Sequence, residues 1–326
     1  MIDPRILKIA KNILIKNMNL KQNEKLVVVT DPPTMEVANM FFESAFSLDF
    51  QVDPILVLMK PRDFRGEEPP VLVSEAMMNS DVCLLITNYS ISHTEARMKA
   101  TERGARIASM GSITMDMFLG PLNADYGKIS RMVSRISEIL RDAVSLRITT
   151  PIGTDLMMSL KDRKPGGPDD GLYTEPGRWG NLPAGEAFIA PVEESVNGRL
   201  VVDGSIANVG LLHEKVVIDI KDGRITEIEG GAQAKIFEEF LKELDDPNAM
   251  VVAELGIGVN ERARITGRII EDEKKLGTAH VGFGMNVDFG GKNLSKTHND
   301  CVFLHPTIEI DGQILMENGK LMIEFT

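Results

Sequence analysis

Four short, largely apolar runs recur in the first half of the chain at the spacing of strand-helix-strand units, and no other feature restricts the fold as tightly. They are Leu26-Val27-Val28-Val29, Ile55-Leu56-Val57-Leu58-Met59, Val82-Cys83-Leu84-Leu85-Ile86 and Arg106-Ile107-Ala108-Ser109-Met110, roughly 25–30 residues apart. A strand with one face in water alternates apolar and polar residues, whereas a strand covered on both faces need not. The runs therefore predict an open α/β domain on a parallel sheet with helices over its faces. Such sheets often bind ligands beyond their carboxyl ends. Here the first run exits into Asp31-Pro32-Pro33-Thr34 with no glycine-rich turn, which disfavours a nucleotide site.

The pattern changes after a long helical stretch over about 128–144. Asn197-Gly198, Asp222-Gly223, Asp311-Gly312 and Asn318-Gly319, each flanked by strand-like residues, read as hairpin turns. One amphipathic helix carries Ile236, Phe237, Phe240, Leu241 and Leu244. The expected organisation is an α/β N-terminal domain with a parallel sheet over 1–146. An α+β C-terminal domain of mainly antiparallel strands follows over 147–326. A chain of 326 residues is also long enough for two cores. Between Lys161 and Glu186 it carries six glycines and four prolines, a long irregular loop of the kind that borders active sites.

Composition narrows the function classes. The chain has 43% hydrophobic and 26% charged residues, the proportions of an ordinary globular protein. With 36 basic against 48 acidic residues, a net charge of −12 and no Lys/Arg-rich run, nucleic acid is not an expected partner. No apolar stretch approaches a membrane span and the N-terminus shows no secretory pattern, so the expectation is a cytoplasmic protein without a membrane partner. Two cysteines, Cys83 and Cys301, suggest neither a disulfide framework nor a cysteine metal motif. Few glutamines and cysteines beside abundant Glu, Lys and Arg are the bias of a thermophile protein. A Ser or Cys nucleophile is disfavoured, since no Gly-x-Ser-x-Gly elbow occurs and Cys83 falls in a core strand.

The strongest chemical signal is Thr297-His298-Asn299-Asp300-Cys301-Val302-Phe303-Leu304. Its apolar tail reads as a strand, and strand alternation then points His298 and Asp300 to one face. Imidazole and carboxylate two residues apart form a platform for a divalent metal, although such a pair taken alone is more often a hydrogen-bonded structural pair. His280, between Gly277 and Gly282, is the candidate third ligand. Glu186 in Ala184-Gly185-Glu186-Ala187-Phe188 and Glu254 in Val251-Val252-Ala253-Glu254-Leu255-Gly256 are carboxylates in apolar contexts, which need a partner, either a metal or a salt bridge. Glu273, in Glu271-Asp272-Glu273 before Lys274 and Lys275, is a less specific candidate ligand, because such a charge cluster usually decorates a solvated turn. His93, His213 and His305 lack partner spacing and read as structural.

Four words, Asn181-Leu182-Pro183-Ala184-Gly185-Glu186-Ala187-Phe188-Ile189-Ala190-Pro191, Ala253-Glu254-Leu255-Gly256, Ala279-His280-Val281-Gly282-Phe283-Gly284 and Thr297-His298-Asn299-Asp300, carry a resemblance. In order and spacing, over about residues 175–305, they resemble the thermophilic metallo-aminopeptidases of the aminopeptidase T and aminopeptidase S family. The resemblance implies a homodimeric hydrolase, a metalloprotease removing N-terminal residues from short peptides. Its two ions (Zn, Co or Mn) would be held by Glu186, Glu254, Glu273, His280, His298 and Asp300, with Glu186 also the catalytic base. Two ions so placed activate water as a nucleophile.

Two departures stand against that activity. The family carries a tyrosine shortly after the first histidine, whereas this chain reads Met285-Asn286-Val287-Asp288 and has no tyrosine beyond Tyr173. Losing one such donor costs about 3 kcal/mol of transition-state stabilisation. The N-terminal half is also shorter. The same fold family includes a non-haem Fe(II) ring-cleaving dioxygenase of the dihydroxypyridine type, which the chain resembles in its compact length. One Fe(II) on His280, His298 and Asp300 would form a two-histidine, one-carboxylate triad acting on a small molecule. A non-catalytic member that keeps the fold is a third reading, favoured by the missing tyrosine alone.

Overall fold

The computed structural model describes residues 3–324; Met1 and Ile2, which open the segment read as carrying no secretory signal, lie outside them. The chain forms two compact units. The first comprises the chain up to Tyr126 and Asp170–Ala184, the second Gly127–Asp169 and the chain from Gly185 onward. The sequence reading places one boundary at 146/147; in the structure the chain passes between the units three times, because the glycine- and proline-rich stretch returns residues 170–184 to the first.

In the first unit the four apolar runs are strands Lys25–Thr30, Asp53–Leu58, Val82–Ile86 and Arg106–Ser109. They lie in one parallel sheet in the order 53–58, 25–30, 82–86, 106–109. Every residue of Val82–Ile86 is buried, as the uninterrupted pattern requires. A fifth parallel strand, Trp179–Asn181, adds to the edge at 106–109. It belongs to the stretch read as irregular loop, and three residues with a glycine at their centre carry no strand pattern. Gly180 is needed there because a Cβ would lie 2.6 Å from the Tyr173 hydroxyl.

The second unit holds two antiparallel sheets, of six and eight strands. The long helix expected over 128–144 is Tyr126–Asp142, and the amphipathic helix is Ala232–Glu243. Asp222-Gly223, Asp311-Gly312 and Asn318-Gly319 form the two-residue hairpin turns predicted, with positive φ at all six residues. Asn197-Gly198 does not. These two residues open the strand Asn197–Val202, and the glycine is required because the Asp155 carbonyl approaches where a Cβ would stand. Among the described residues no helix is long and apolar enough to cross a membrane.

The six-stranded sheet positions the site. Its core strands are Glu186–Ile189, Val252–Gly258, Thr278–Gly284 and His298–Leu304, paired in the order 298–304, 278–284, 252–258, 186–189. Side chains alternate between the faces of a strand. One face carries Leu255, Ile257, Val281, Phe283, Cys301 and Phe303, all buried core. The other carries Glu186, Glu254, His280, His298 and Asp300, interleaved with Gly256, Gly258 and Gly282. The register pairs Glu254 with Gly282, Gly282 with Asp300, Gly256 with His280 and Gly258 with Glu186.

Candidate metal centre

Glycine makes this polar face possible. A Cβ at Gly256 would overlap the His280 ring, and one at Gly282 would stand 2.8 Å from the His298 ring and 3.0 Å from the Glu254 Cβ. A Cβ at Gly258 would collide with the backbone of residues 273–275. That clearance lets the turn after the short helix Ile269–Asp272 lie directly on the sheet. The turn is lashed down: the Asn260 N–H donates to the Lys274 carbonyl at 2.7 Å, and the N–H groups of Thr266 and Gly267 donate to the Asp272 carboxylate at 2.7 and 2.8 Å. Glu273 and Lys274 are thereby brought over the strands.

The six residues picked from the sequence fall into two adjoining groups, Glu186 with Glu273 and His280, and Glu254 with His298 and Asp300, each with ligand atoms close enough to hold one ion. The groups meet where His280 Nε2 stands 3.8 Å from Glu254 Oε1 and 3.6 Å from Glu186 Oε2. His298 Nε2 lies 2.9 Å from Glu254 Oε2 and 3.1 Å from Asp300 Oδ1. His298 Nδ1 donates to the Met285 carbonyl at 2.7 Å. A carbonyl can only accept, so that bond fixes the tautomer and aims Nε2 at the carboxylates, as a metal ligand requires. The triad His280, His298 and Asp300 is thus divided between the groups, with Glu254 linking them.

Two residues of the site were not singled out from the sequence. Lys274 is fully buried, its ammonium 2.6 Å from Glu186 Oε1, 2.8 Å from Glu273 Oε1 and 2.9 Å from Asp169 Oδ2. Asp169 comes from the irregular loop, which runs beside the first strand residue as an isolated bridge to Glu186. An acidic run followed by two lysines looks like a solvated turn, and only Gly258 at the end of the facing strand and Asn260 just beyond it hint otherwise. Beside the cluster, the half-buried Phe289 ring stands edge-on to His298 at 5.2 Å and to Phe188 at 5.7 Å. His93 meets Trp179 edge-on, and His213 and His305 are exposed.

Burial and neighbouring charge together set how tightly these groups hold their protons. Burial pushes the Glu186 carboxyl up to about 8, with Glu273 and Asp169 adding to the rise against the opposing Lys274. Burial alone would also raise Glu254, but hydrogen bonding and charge from His280 and His298 overcome it and hold Glu254 at about 2. Burial would lower His280, yet Glu254, Glu186 and Asp300 raise it to about 9, and Asp300 and Glu254 raise His298 well above the usual imidazole value. Five buried carboxylates, those of Asp169, Glu186, Glu254, Glu273 and Asp300, thus face one lysine and two imidazoles. Glu186 Oε2 and His280 Nδ1 have no hydrogen-bond partner. A buried acidic excess with an unsatisfied oxygen suits a divalent cation, so the donor set fits a metal.

Comparison with known proteins gives this frame a family. The model of the NicX family, described as 2,5-dihydroxypyridine 5,6-dioxygenase, matches residues 8–323. The chain belongs to the NicX family. The curated 2,5-dihydroxypyridine 5,6-dioxygenase of Pseudomonas putida strain KT2440 is 27% identical over 206 residues, 59% of this chain and 58% of that protein, so the match spans little more than half of the relative's length. The solved structure of 2,5-dihydroxypyridine dioxygenase from the same organism superposes with a TM-score of 0.84 at 20% identity, covering 99% of both chains. Wild-type AmpT from Thermus thermophilus superposes with a TM-score of 0.74 at 14% identity, covering 98% of this chain and 99% of that one.

For this NicX-family chain the aminopeptidase expectation is corrected. Hydrolase, metalloprotease and short-peptide chemistry do not describe a member of a dioxygenase family matched over nearly its whole length. The resemblance arose because the two families share a fold. Words such as Ala253-Glu254-Leu255-Gly256 encode a strand that carries a carboxylate and leaves room for its neighbour's imidazole. They report the frame of the site rather than the reaction in it. The missing tyrosine was the discordant residue.

Proposed function

We propose that this chain is a non-haem Fe(II) ring-cleaving dioxygenase acting on a small dihydroxylated nitrogen heterocycle of the dihydroxypyridine type. The observation that carries the reading is the near-complete family match on a sheet face where His298 and Asp300 stand together with Glu254, beside His280. His298, Asp300 and His280 would hold the ion, with Glu254 between the imidazoles. Bound Fe(II) would supply the redox chemistry that joins the ring diol to dioxygen. Both oxygen atoms end in the product and the ring supplies the electrons, so no further reductant is consumed.

The chain's own groups bind, orient and move protons. The Met285 carbonyl holds the His298 ring in place through Nδ1. Glu186, whose Oε2 stands 3.6 Å from His280 Nε2 without a hydrogen-bond partner, would accept the proton that a ring hydroxyl gives up on binding. Phe188 and Phe289 give a flat aromatic substrate an apolar flank beside His298. The free buried thiols Cys83 and Cys301 accord with a cytoplasmic setting. Self-association as a homodimer is part of the proposal, and light scattering showing a 35.9 kDa particle would remove that part.

The test is oxygen consumption by protein reconstituted anaerobically with Fe(II) and mixed with 2,5-dihydroxypyridine. Equimolar loss of oxygen and of the ring's near-ultraviolet absorbance is expected. Absence of both, across a panel of dihydroxypyridines and catechols, would overturn the reading.

A further inference from the structure

The two ligand groups differ in what already occupies them. In the Glu254, His298 and Asp300 group the positive partners are imidazoles, which shed a proton and become metal ligands. In the Glu186 and Glu273 group the partner is the Lys274 ammonium, which donates a hydrogen bond to Glu186 Oε1 at 2.6 Å and lies within ion-pair distance of Glu273 Oε1 at 2.8 Å and Asp169 Oδ2 at 2.9 Å. A protonated lysine cannot ligate a metal, and its charge already balances the Glu186 and Glu273 carboxylates that a second divalent ion would need.

Nor can the amine swing aside. The Lys274 side chain is 0% exposed, and its backbone carbonyl is held by Asn260 over the clearance left by Gly258. The position is built into the fold at both ends of the side chain.

We propose that the Lys274 ammonium is the resident cation of the Glu186–Glu273 cage, that it limits the centre to one divalent ion, and that removing it opens a second metal position. This rests on the metal-centre reading above but not on the identity of the substrate. Lys274 acts as a positioning residue: it neutralises the carboxylates that would otherwise recruit a second ion and keeps Glu186 beside His280. A two-ion hydrolase site on this frame is blocked by one side chain.

The test counts bound metal. Metal-stripped full-length protein is equilibrated anaerobically with excess Mn(II), freed of unbound ion by gel filtration and assayed by mass spectrometry, with electron paramagnetic resonance on the same samples. The wild type is expected to carry one ion per chain with the spectrum of an isolated Mn(II). Lys274→Met and Lys274→Ala are expected to carry two, a twofold rise, with the spectrum of a coupled pair. Two ions in the wild type, or one ion in folded Lys274 variants, would overturn the proposal. If both variants fail to fold, the wild-type stoichiometry and spectrum decide it: a coupled pair refutes it and an isolated ion supports it. No bound ion in the wild type removes the metal-centre reading and this inference together. One bound ion without oxygen consumption on any diol removes only the proposed reaction.

Discussion

Gly256 stands directly opposite His280 on the adjoining strand, and the imidazole occupies the space where any other residue would carry its Cβ. The glycine is part of the site without bearing a functional group. Gly256→Ala must turn the ring away from Glu254 and Glu186. The expected result is a 10–100-fold loss of metal affinity, about the effect of removing a group that orients a ligand, with overpacking costing about 1–3 kcal/mol of stability. Calorimetric titration with Mn(II) and a thermal melt measure the two effects. An unchanged affinity would show that His280 does not contribute to the ion's site in this orientation.

Substitutions within the cluster separate ligands from neighbours. His298→Ala and Asp300→Ala should each abolish metal binding while leaving the circular dichroism spectrum native, because each removes one side chain from a strand whose opposite face keeps its core. Glu186→Gln should retain the ion and lower oxygen consumption by less than His280→Ala does, since it lies in the cage held by Lys274. Full metal occupancy in the His298 and Asp300 variants would remove them from the ligand set.

The shifted groups predict how the metal-stripped protein responds to pH. His280 titrates near 9 in the fold against 6.5 unfolded, and Glu186 near 8 against 4.5. Both bind more protons folded than unfolded, so their contribution to stability declines as pH rises, through about 4.5–8 for Glu186 and 6.5–9 for His280. Glu254, held at about 2, acts in the opposite sense, and its contribution is lost only in acid, as pH falls from its unfolded value through about 2. The melting temperature of stripped protein should therefore fall between pH 6.5 and 9. Mn(II) affinity should rise over the same range, because the ion displaces protons from the imidazoles. A melting temperature that is flat across this range would show that these protons are not held as described.

The sequence discloses the parts of this molecule that obey a local rule. Apolar runs specify the parallel strands, paired Asn/Asp-Gly residues specify three hairpins, and His298-x-Asp300 reads as one face because strand alternation is strict. Lys274 and Asp169 escape because their burial is a tertiary fact. Lys274 reaches the site only through the clearance at Gly258, and Asp169 only through a loop whose path no periodicity encodes. Trp179–Asn181 escapes because its strand character is conferred by the neighbour at 106–109. The reaction itself is not legible in words that record a shared frame. Tyrosine absence after residue 173 was the one local sign that the chemistry differs.

Phe289 tests whether the half-buried flank beside His298 receives a flat ring. It sits in the single short helical turn Val287–Phe289, between the strands that carry His280 and His298, and its ring meets both His298 and Phe188 edge-on. It carries no ligand atom, so its removal should leave metal stoichiometry at the wild-type value. A ring stacked or wedged against Phe289 loses an aromatic contact worth about 0.5–1.5 kcal/mol beyond its buried area, so Phe289→Ala should raise the KM for a dihydroxypyridine by several-fold or more. Phe289→Leu, which keeps apolar bulk without the ring, should recover only part of that loss. Because the residue also supports the His298 ring, kcat is read alongside KM. A fall in kcat with KM unchanged would mean that Phe289 serves the imidazole rather than the substrate, and the apolar flank would then have to be sought elsewhere on the site face.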